Sequence, residues 1–282
     1  YVVTCDHDLG IATQKDKDVL IYILTKLVED FHANGKITNA IDISAADFLR
    51  LAGKDHRSGK NFKSIVTSLL RLKETSIRTD IDEGKRGVIR SFNWLSSLEI
   101  NYNKRDLADG STDKQFTSAK VKICDWLFES VKEDPSLVDY PDSYFQLTSG
   151  VLATLFEFAR SAQGMKSFRV PAEVLRQHIG SNRDPKYFKS DLRKAIEGRA
   201  TTAVKSDTAV PGYAVYPYDT RYPRVSSSWT ARIPLDRLHL VFVKSDDKKD
   251  ILEQPLGAFL EWKPNITESE INAFAREVTE DG

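Results

Sequence analysis

The stretch ADFLRLAGKDHRSGKNFKSIVTSLLR, residues 46–71, returns in altered form as AEVLRQHIGSNRDPKYFKSDLRKAIE, residues 172–197. The two align without a gap, 126 residues apart. Ala46, Leu49, Arg50, Arg57, Lys60, Phe62, Lys63 and Ser64 are identical to Ala172, Leu175, Arg176, Arg183, Lys186, Phe188, Lys189 and Ser190. Asp47 with Glu173 and Val66 with Leu192 are conservative pairs. A separation this long lies outside the roughly 20–50 residues of solenoid repeats and points to a duplicated domain. Each copy reads as a short helix, a turn and a second helix with one apolar and one basic stripe.

The flanks of the first copy complete a motif. Residues 16–33 place Val19, Leu20, Ile23, Leu24, Leu27, Val28 and Phe31 at helical spacing, and Asn34-Gly35 ends that helix. Ser44 is placed to cap a helix over 45–52, with Asp47 in a capping-box-like position. Gly53 breaks it, residues 54–59 turn, and Ser58 is placed to cap a helix over about 60–73. Residues 76–81 alternate in the strand period, 82–87 carry turn chemistry, and 88–95 return as a second strand. Helix, short helix, longer helix and β-hairpin, in that order, predict a winged helix-turn-helix. Residues 96–124 are expected to extend its sheet, with 103–114 as a polar loop and 119–124 as a short strand.

The second copy sits in a similar frame. Asp134-Pro135 and Tyr140-Pro141 mark a joint, because the residue before proline is pushed out of helix. Residues 149–162 form a helix with Leu152, Leu155, Phe156 and Ala159 on one face, and Gln163-Gly164 closes it. Pro171 begins the next helix and Gly180 ends it. Asp184-Pro185 opens a helix over 185–196 as cap plus first-turn proline. Strands of a second wing are expected at 201–205 and 213–218, and 245–282 reads as an acidic, partly helical tail. The expected fold is α+β, with two tandem winged-helix domains over 1–135 and 142–282. Each is long enough to bury its own core.

Net charge is zero, with 41 Lys and Arg against 41 Asp and Glu, but the charges are unevenly placed. Residues 50–90 carry 11 basic against 5 acidic residues, and 166–205 carry 10 against 4. Residues 106–157 and 245–282 each carry 4 basic against 10 acidic residues. Each positive window contains one copy of the repeat. Clustered positive charge attracts a polyanion whatever the total.

The candidate DNA contacts follow from helical spacing. Phe62, Ile65, Val66, Leu69 and Leu72 face a core, which leaves Lys60, Lys63, Ser64, Thr67 and Arg71 on the other side. In the second copy Phe188, Leu192, Ala195 and Ile196 face inward, and Lys186, Lys189, Ser190, Arg193 and Lys194 outward. Arg57 and Arg183 lie in the preceding turns, and Lys85 and Arg86 at the first hairpin tip. A helix of this kind enters the major groove with its N-terminal residues nearest the bases, and a wing lies along the backbone or in a minor groove. The second copy has the better-capped helix and denser basic stripe. It is expected to be the main base reader, with the first as backbone clamp or dimer contact.

Other chemistries find little support. Cys5-Asp6-His7-Asp8 groups metal-ligand types, but no second cluster would complete a zinc site, so no metal or other cofactor is expected. No Gly-rich phosphate loop, His-hydrophobic-His pair or framed Ser nucleophile is present, so no catalytic residue is expected and the chain is read as non-enzymatic. No apolar run approaches the roughly 18 residues of a membrane span. Cys5 and Cys124 suit a reducing cytoplasm. The chain opens on Tyr1 without an initiator Met and is expected to be part of a longer one.

Several segments resemble the plasmid replication initiator protein A family. They are Gly10-Ile11-Ala12-Thr13 with Asp16 to Tyr22, Leu69 to Ile77, Phe92-Asn93-Trp94-Leu95, Tyr144 to Gly150, Phe188 to Arg193, and Pro211-Gly212-Tyr213. The resemblance spans roughly residues 2–235. It implies a bacterial plasmid initiator that binds repeated double-stranded DNA sites at an origin through tandem winged helices. It further implies melting of adjacent DNA, recruitment of the host helicase machinery, dimerisation through the N-terminal domain and repression of its own promoter. A transcriptional regulator of the same fold, a nicking-type initiator enzyme and a protein–protein module whose winged helices bind no DNA are the alternatives.

Overall fold

The computed structural model describes residues 2–35, 38–55, 58–82, 87–106, 112–138, 140–147, 149–162, 165–197, 210–221, 233–244 and 256–263. The chain divides into two compact units, Tyr1–Phe145 and Gln146–Gly282.

In the first unit the apolar stripe of residues 16–33 forms α1 (Gln14–Asn34), with Val19, Leu20, Ile23, Leu24 and Leu27 buried. The Asp16 carboxylate accepts from the Thr13 backbone N–H at 2.6 Å and from its hydroxyl at 2.8 Å, which starts the helix. Gly35, at φ 66°, ends it by donating to the Phe31 carbonyl. Strand β2 (Ala40–Ser44) leads into α2 (Ala45–Leu51), and α3 (Gly59–Glu74) follows the turn. Ser44 caps α2 through its hydroxyl, which accepts from Asp47 N at 3.3 Å. Asp47 pairs its carboxylate with Arg50 at 2.6 Å rather than closing a capping box. Ser58 holds the N-cap position of α3, but its side chain makes no cap bond.

The hairpin expected as the first wing exists as β3 (Ser76–Asp82) and β4 (Gly87–Asn93), yet it belongs to a different sheet. β3 pairs with β1 (Val2–Thr4), giving the order β1-β3-β4. Strand β2 pairs instead with β6 (Thr112–Ile123), whose other neighbour is β5 (Leu95–Asp106), giving the order β2-β6-β5. The polar loop expected over 103–114 is therefore wrong at both ends, where the strands continue. Polarity misled because the outer parts of both strands carry exposed polar residues, as with Asn103, Lys104 and Lys114. Only further in do Ala119, Val121 and Ile123 alternate as buried residues, with Phe116 buried beyond a register shift. Helix α4 (Asp125–Glu133) and the short α5 (Asp142–Phe145) complete the unit. The second domain, expected from residue 142, begins four residues later here. Tyr144 and Phe145 are buried in the first unit, where Phe145 meets Tyr22 and Phe48 edge to face.

The second unit repeats this plan. Helix α6 (Gly150–Ser161) is capped by Ser149, and β7 (Ser167–Pro171) leads into α7 (Ala172–Ile179), which Gly180 ends at φ 66°. Helix α8 (Pro185–Ile196) starts with the Asp184 carboxylate accepting from Lys186 N at 2.8 Å. Strands β8 (Tyr213–Asp219) and β9 (Leu238–Lys244) follow, and the sheet order is β7-β9-β8. In both units the strand between the first two helices thus pairs with the last strand of the final hairpin. The hairpin equivalent to β8–β9 is β5–β6, and β3–β4 has no counterpart among the described residues of the second unit. The expected strand over 201–205 lies outside the described residues, and the strand paired with 213–219 is β9.

The sequence repeat includes matching core positions. Leu49 and Leu175, Phe62 and Phe188, and Leu69 and Ala195 are all buried at matching register. The acidic tail expected over 245–282 is wrong for 256–263. Phe259 is buried with Tyr218, Val241 and Val243, and Glu261 pairs with Arg169 at 2.9 Å. The Trp262 indole donates to the Ser161 hydroxyl at 2.8 Å. Burial of one such large apolar side chain is worth about 2 kcal/mol, which outweighs the acidic composition around it. Beside this segment burial and the Arg169 guanidinium hold the His239 imidazole below its usual 6.5.

Candidate nucleic-acid interface

Helix α8 has a clear division of faces. Phe188, Leu192 and Ala195 are buried, while Lys186, Tyr187, Ser190 and Lys194 are exposed. Lys186, Ser190 and Lys194 stand at i, i+4 and i+8, so they form one stripe along the helix. Three other expected contacts already serve the fold. Lys189 is half-buried and donates to the Ile233 carbonyl at 2.8 Å. Arg193 pairs with Glu197 at 3.0 Å, and Arg183 with the Asp191 carboxylate. The turn before α8 is braced from behind, where Arg176 pairs with Glu173 at 3.2 Å and its Nη1 donates to the Arg183 carbonyl at 3.1 Å.

Helix α3 presents a narrower surface. Lys60, Lys63 and Ser64 are exposed. Thr67 is half-buried, with its hydroxyl donating to the Lys63 carbonyl at 3.0 Å. Arg71 turns inward, where its Nε donates to the Leu9 carbonyl at 2.7 Å and its Nη1 lies 3.8 Å from the Asp16 carboxylate. Arg57, Lys85 and Arg86 lie outside the described residues. At the register position of Lys194 stands Ser68, which is buried, and at that of Tyr187 stands Asn61, whose amide donates to the Asp55 carbonyl. The two helices share a core pattern, but only α8 keeps a continuous outward stripe.

Two features escaped the sequence reading. One is Tyr187, 57% exposed among lysines. The other is the outer part of the β5–β6 hairpin, where Lys104 faces Lys114 across the strands and the Lys114 ammonium lies 4.8 Å from the Tyr102 ring centre. The available signal was the alternation of polar and apolar residues over 118–123, which the Thr117-Ser118 pair interrupts before the expected loop.

No group of three or more His, Cys, Asp or Glu among the described residues could hold a metal ion. No described helix is long and apolar enough to cross a membrane. A cavity of about 440 Å³ in the first unit is lined mainly by apolar residues, among them Leu20, Ile21, Leu24, Leu72, Trp94, Leu127 and Val131. Thr13, Gln14, Lys17 and Tyr140 also line it.

Comparison with known families decides the class of protein. A family model described as Replication initiator protein A matches residues 2–214. The chain belongs to the replication initiator protein A family. A protein of Wigglesworthia glossinidia brevipalpis named "Putative replication protein" is 27% identical to this initiator over 190 residues, which cover 66% of each chain. Crystal structures of domains 2 and 3 of RctB share the fold. One, of selenomethionine derivatives, has a TM-score of 0.63 at 17% identity over 86% of this chain and 85% of that one. A second has a TM-score of 0.61 at 17% identity, covering 86% of each chain.

Proposed function

We propose that this initiator binds repeated double-stranded DNA sites at a plasmid origin through two winged helices, and that it acts without catalysing a covalent step. The observation that carries this reading is the shared plan of the two units. In each, helix, strand, short helix, longer helix and hairpin succeed one another, with the strand closing onto the hairpin, and the longer helix turns basic residues outward. This is the order in which a winged helix places its recognition helix in the major groove. Lys186, Ser190 and Lys194 of α8 and Lys60, Lys63 and Ser64 of α3 are the groove-facing candidates. The wing of the first unit is β5–β6, and Lys104 and Lys114 are suited to its phosphate contacts. Phosphate contacts hold the register and base contacts give the sequence. Homodimerisation, helicase recruitment and a place in the bacterial cytoplasm belong to the same reading.

Footprinting on the parent plasmid tests it. Protection of directly repeated sites in the origin is the expected result. Protection of a lone promoter palindrome would favour the regulator reading. A covalent protein–DNA adduct formed with supercoiled plasmid and a divalent metal would replace this account with a nicking enzyme.

A further inference from the structure

We infer that Tyr187 is a specificity-determining residue that packs its ring against the 5-methyl group of a thymine in the major groove. The inference rests on reading α8 as the groove-entering helix. Tyr187 is the third residue of α8, and the N-terminal end of such a helix lies nearest the base edges. Tyr187 is 57% exposed, whereas its neighbour Phe188 is 2% exposed. The residues beside it on the outward face, Lys186, Ser190 and Lys194, are ones that water solvates well, whereas the exposed apolar part of an aromatic ring there stays in water when the chain folds.

The ring is also held in place. The Arg183 guanidinium lies 5.8 Å from its centre. Arg183 is fixed in turn by the Asp191 carboxylate, and its carbonyl by Arg176. A ring pre-positioned in this way costs little side-chain entropy on binding. Of the groups exposed in the major groove, the thymine methyl is the apolar one, and it is the partner that a protruding apolar surface selects. At the matching position of the first unit stands Asn61, whose amide donates to the Asp55 carbonyl.

The test uses the full chain and a duplex selected for binding from random sequence. Each thymine is replaced singly by deoxyuridine, which removes only the methyl, and affinity is read by fluorescence anisotropy. Wild type is expected to lose about fourfold at one thymine, the cost of one unburied methyl. Y187A is expected to bind more weakly and to ignore that substitution, while Y187F keeps the sensitivity. The position is exposed, so Y187A should melt with wild type, and the wild-type and Y187F arms hold if it does not. Equal losses in wild type and Y187A, or no sensitive thymine in wild type, would overturn the inference while leaving α8 as a DNA-binding helix. Failure of the chain to select any duplex would remove the reading of α8 and this inference together.

Discussion

The Nη1 of Arg176 donates to the backbone carbonyl of Arg183 at 3.1 Å, so α7 holds the turn that launches α8. Arg50, its counterpart in the first unit, makes the same helical ion pair with Asp47 but is 61% exposed, whereas Arg176 is 26% exposed. Arg176→Ala is expected to cost about 1–2 kcal/mol in urea denaturation. Arg50→Ala is expected to cost no more than roughly 0.5 kcal/mol, as for a solvated pair. Arg176→Ala should also weaken DNA binding, because the start of α8 is no longer fixed. Equal stability losses from the two variants would contradict the bracing role.

Arg71 is predicted to act on folding. Its guanidinium satisfies the Leu9 carbonyl and stands near the buried Asp16, joining the end of α3 to the start of α1. Arg71→Ala should lower the stability of the first unit by about 2 kcal/mol and leave the salt dependence of DNA binding unchanged. A shallower salt slope with unchanged stability would return Arg71 to the DNA interface.

The second unit should lose stability in mild acid. His239 has a folded pKa below its unfolded value of 6.5, so the unfolded chain takes up the proton first. The contribution of the neutral ring is complete above about pH 6.5 and is lost as pH falls from there toward the folded pKa. Protonation would place a second cation beside Arg169, which the nearby Glu261 only partly offsets. The fall in Tm between pH 7.5 and pH 5.5 should be smaller in His239→Gln than in wild type. An identical fall in both would remove His239 as the cause.

Lys186 and Lys194 should each neutralise phosphate. Two units making three or four phosphate contacts each predict a log–log salt slope of roughly −5 to −7. Lys186→Ala with Lys194→Ala should make that slope shallower by about 2, at close to one per contact. A slope unchanged by the double substitution would place both ammoniums in solvent.

Much of this was legible because the repeat marks core positions. Leu49, Phe62 and Leu69 recur at fixed spacing with Leu175, Phe188 and Ala195, and helical periodicity converts that spacing into α2–α3 and α7–α8. Caps were equally local at Ser44 and Asp184, whereas Ser58, placed to cap α3, makes no cap bond. What failed was non-local. Nothing in the strand period of 76–95 says that β3 pairs with β1 and leaves β2 to β6, because pairing is chosen by tertiary packing rather than by propensity. Phe259 and Trp262 were hidden in an acidic segment, and their packing depends on β9 and α6, distant in sequence. At the interface, periodicity found the outward face but could not separate Lys186 from Lys189 or Arg71, whose ends reach back to carbonyls of other segments.

The central claim is that one DNA-reading unit occurs twice. Selection of bound sequences from random duplex DNA by the full chain tests it most directly, with Lys186→Ala plus Lys194→Ala and Lys60→Ala plus Ser64→Ala run in parallel. The account predicts a directional consensus of two parts, one blurred by the first pair of substitutions and the other by the second. A single consensus element weakened alike by both pairs, or no consensus at all, would contradict it.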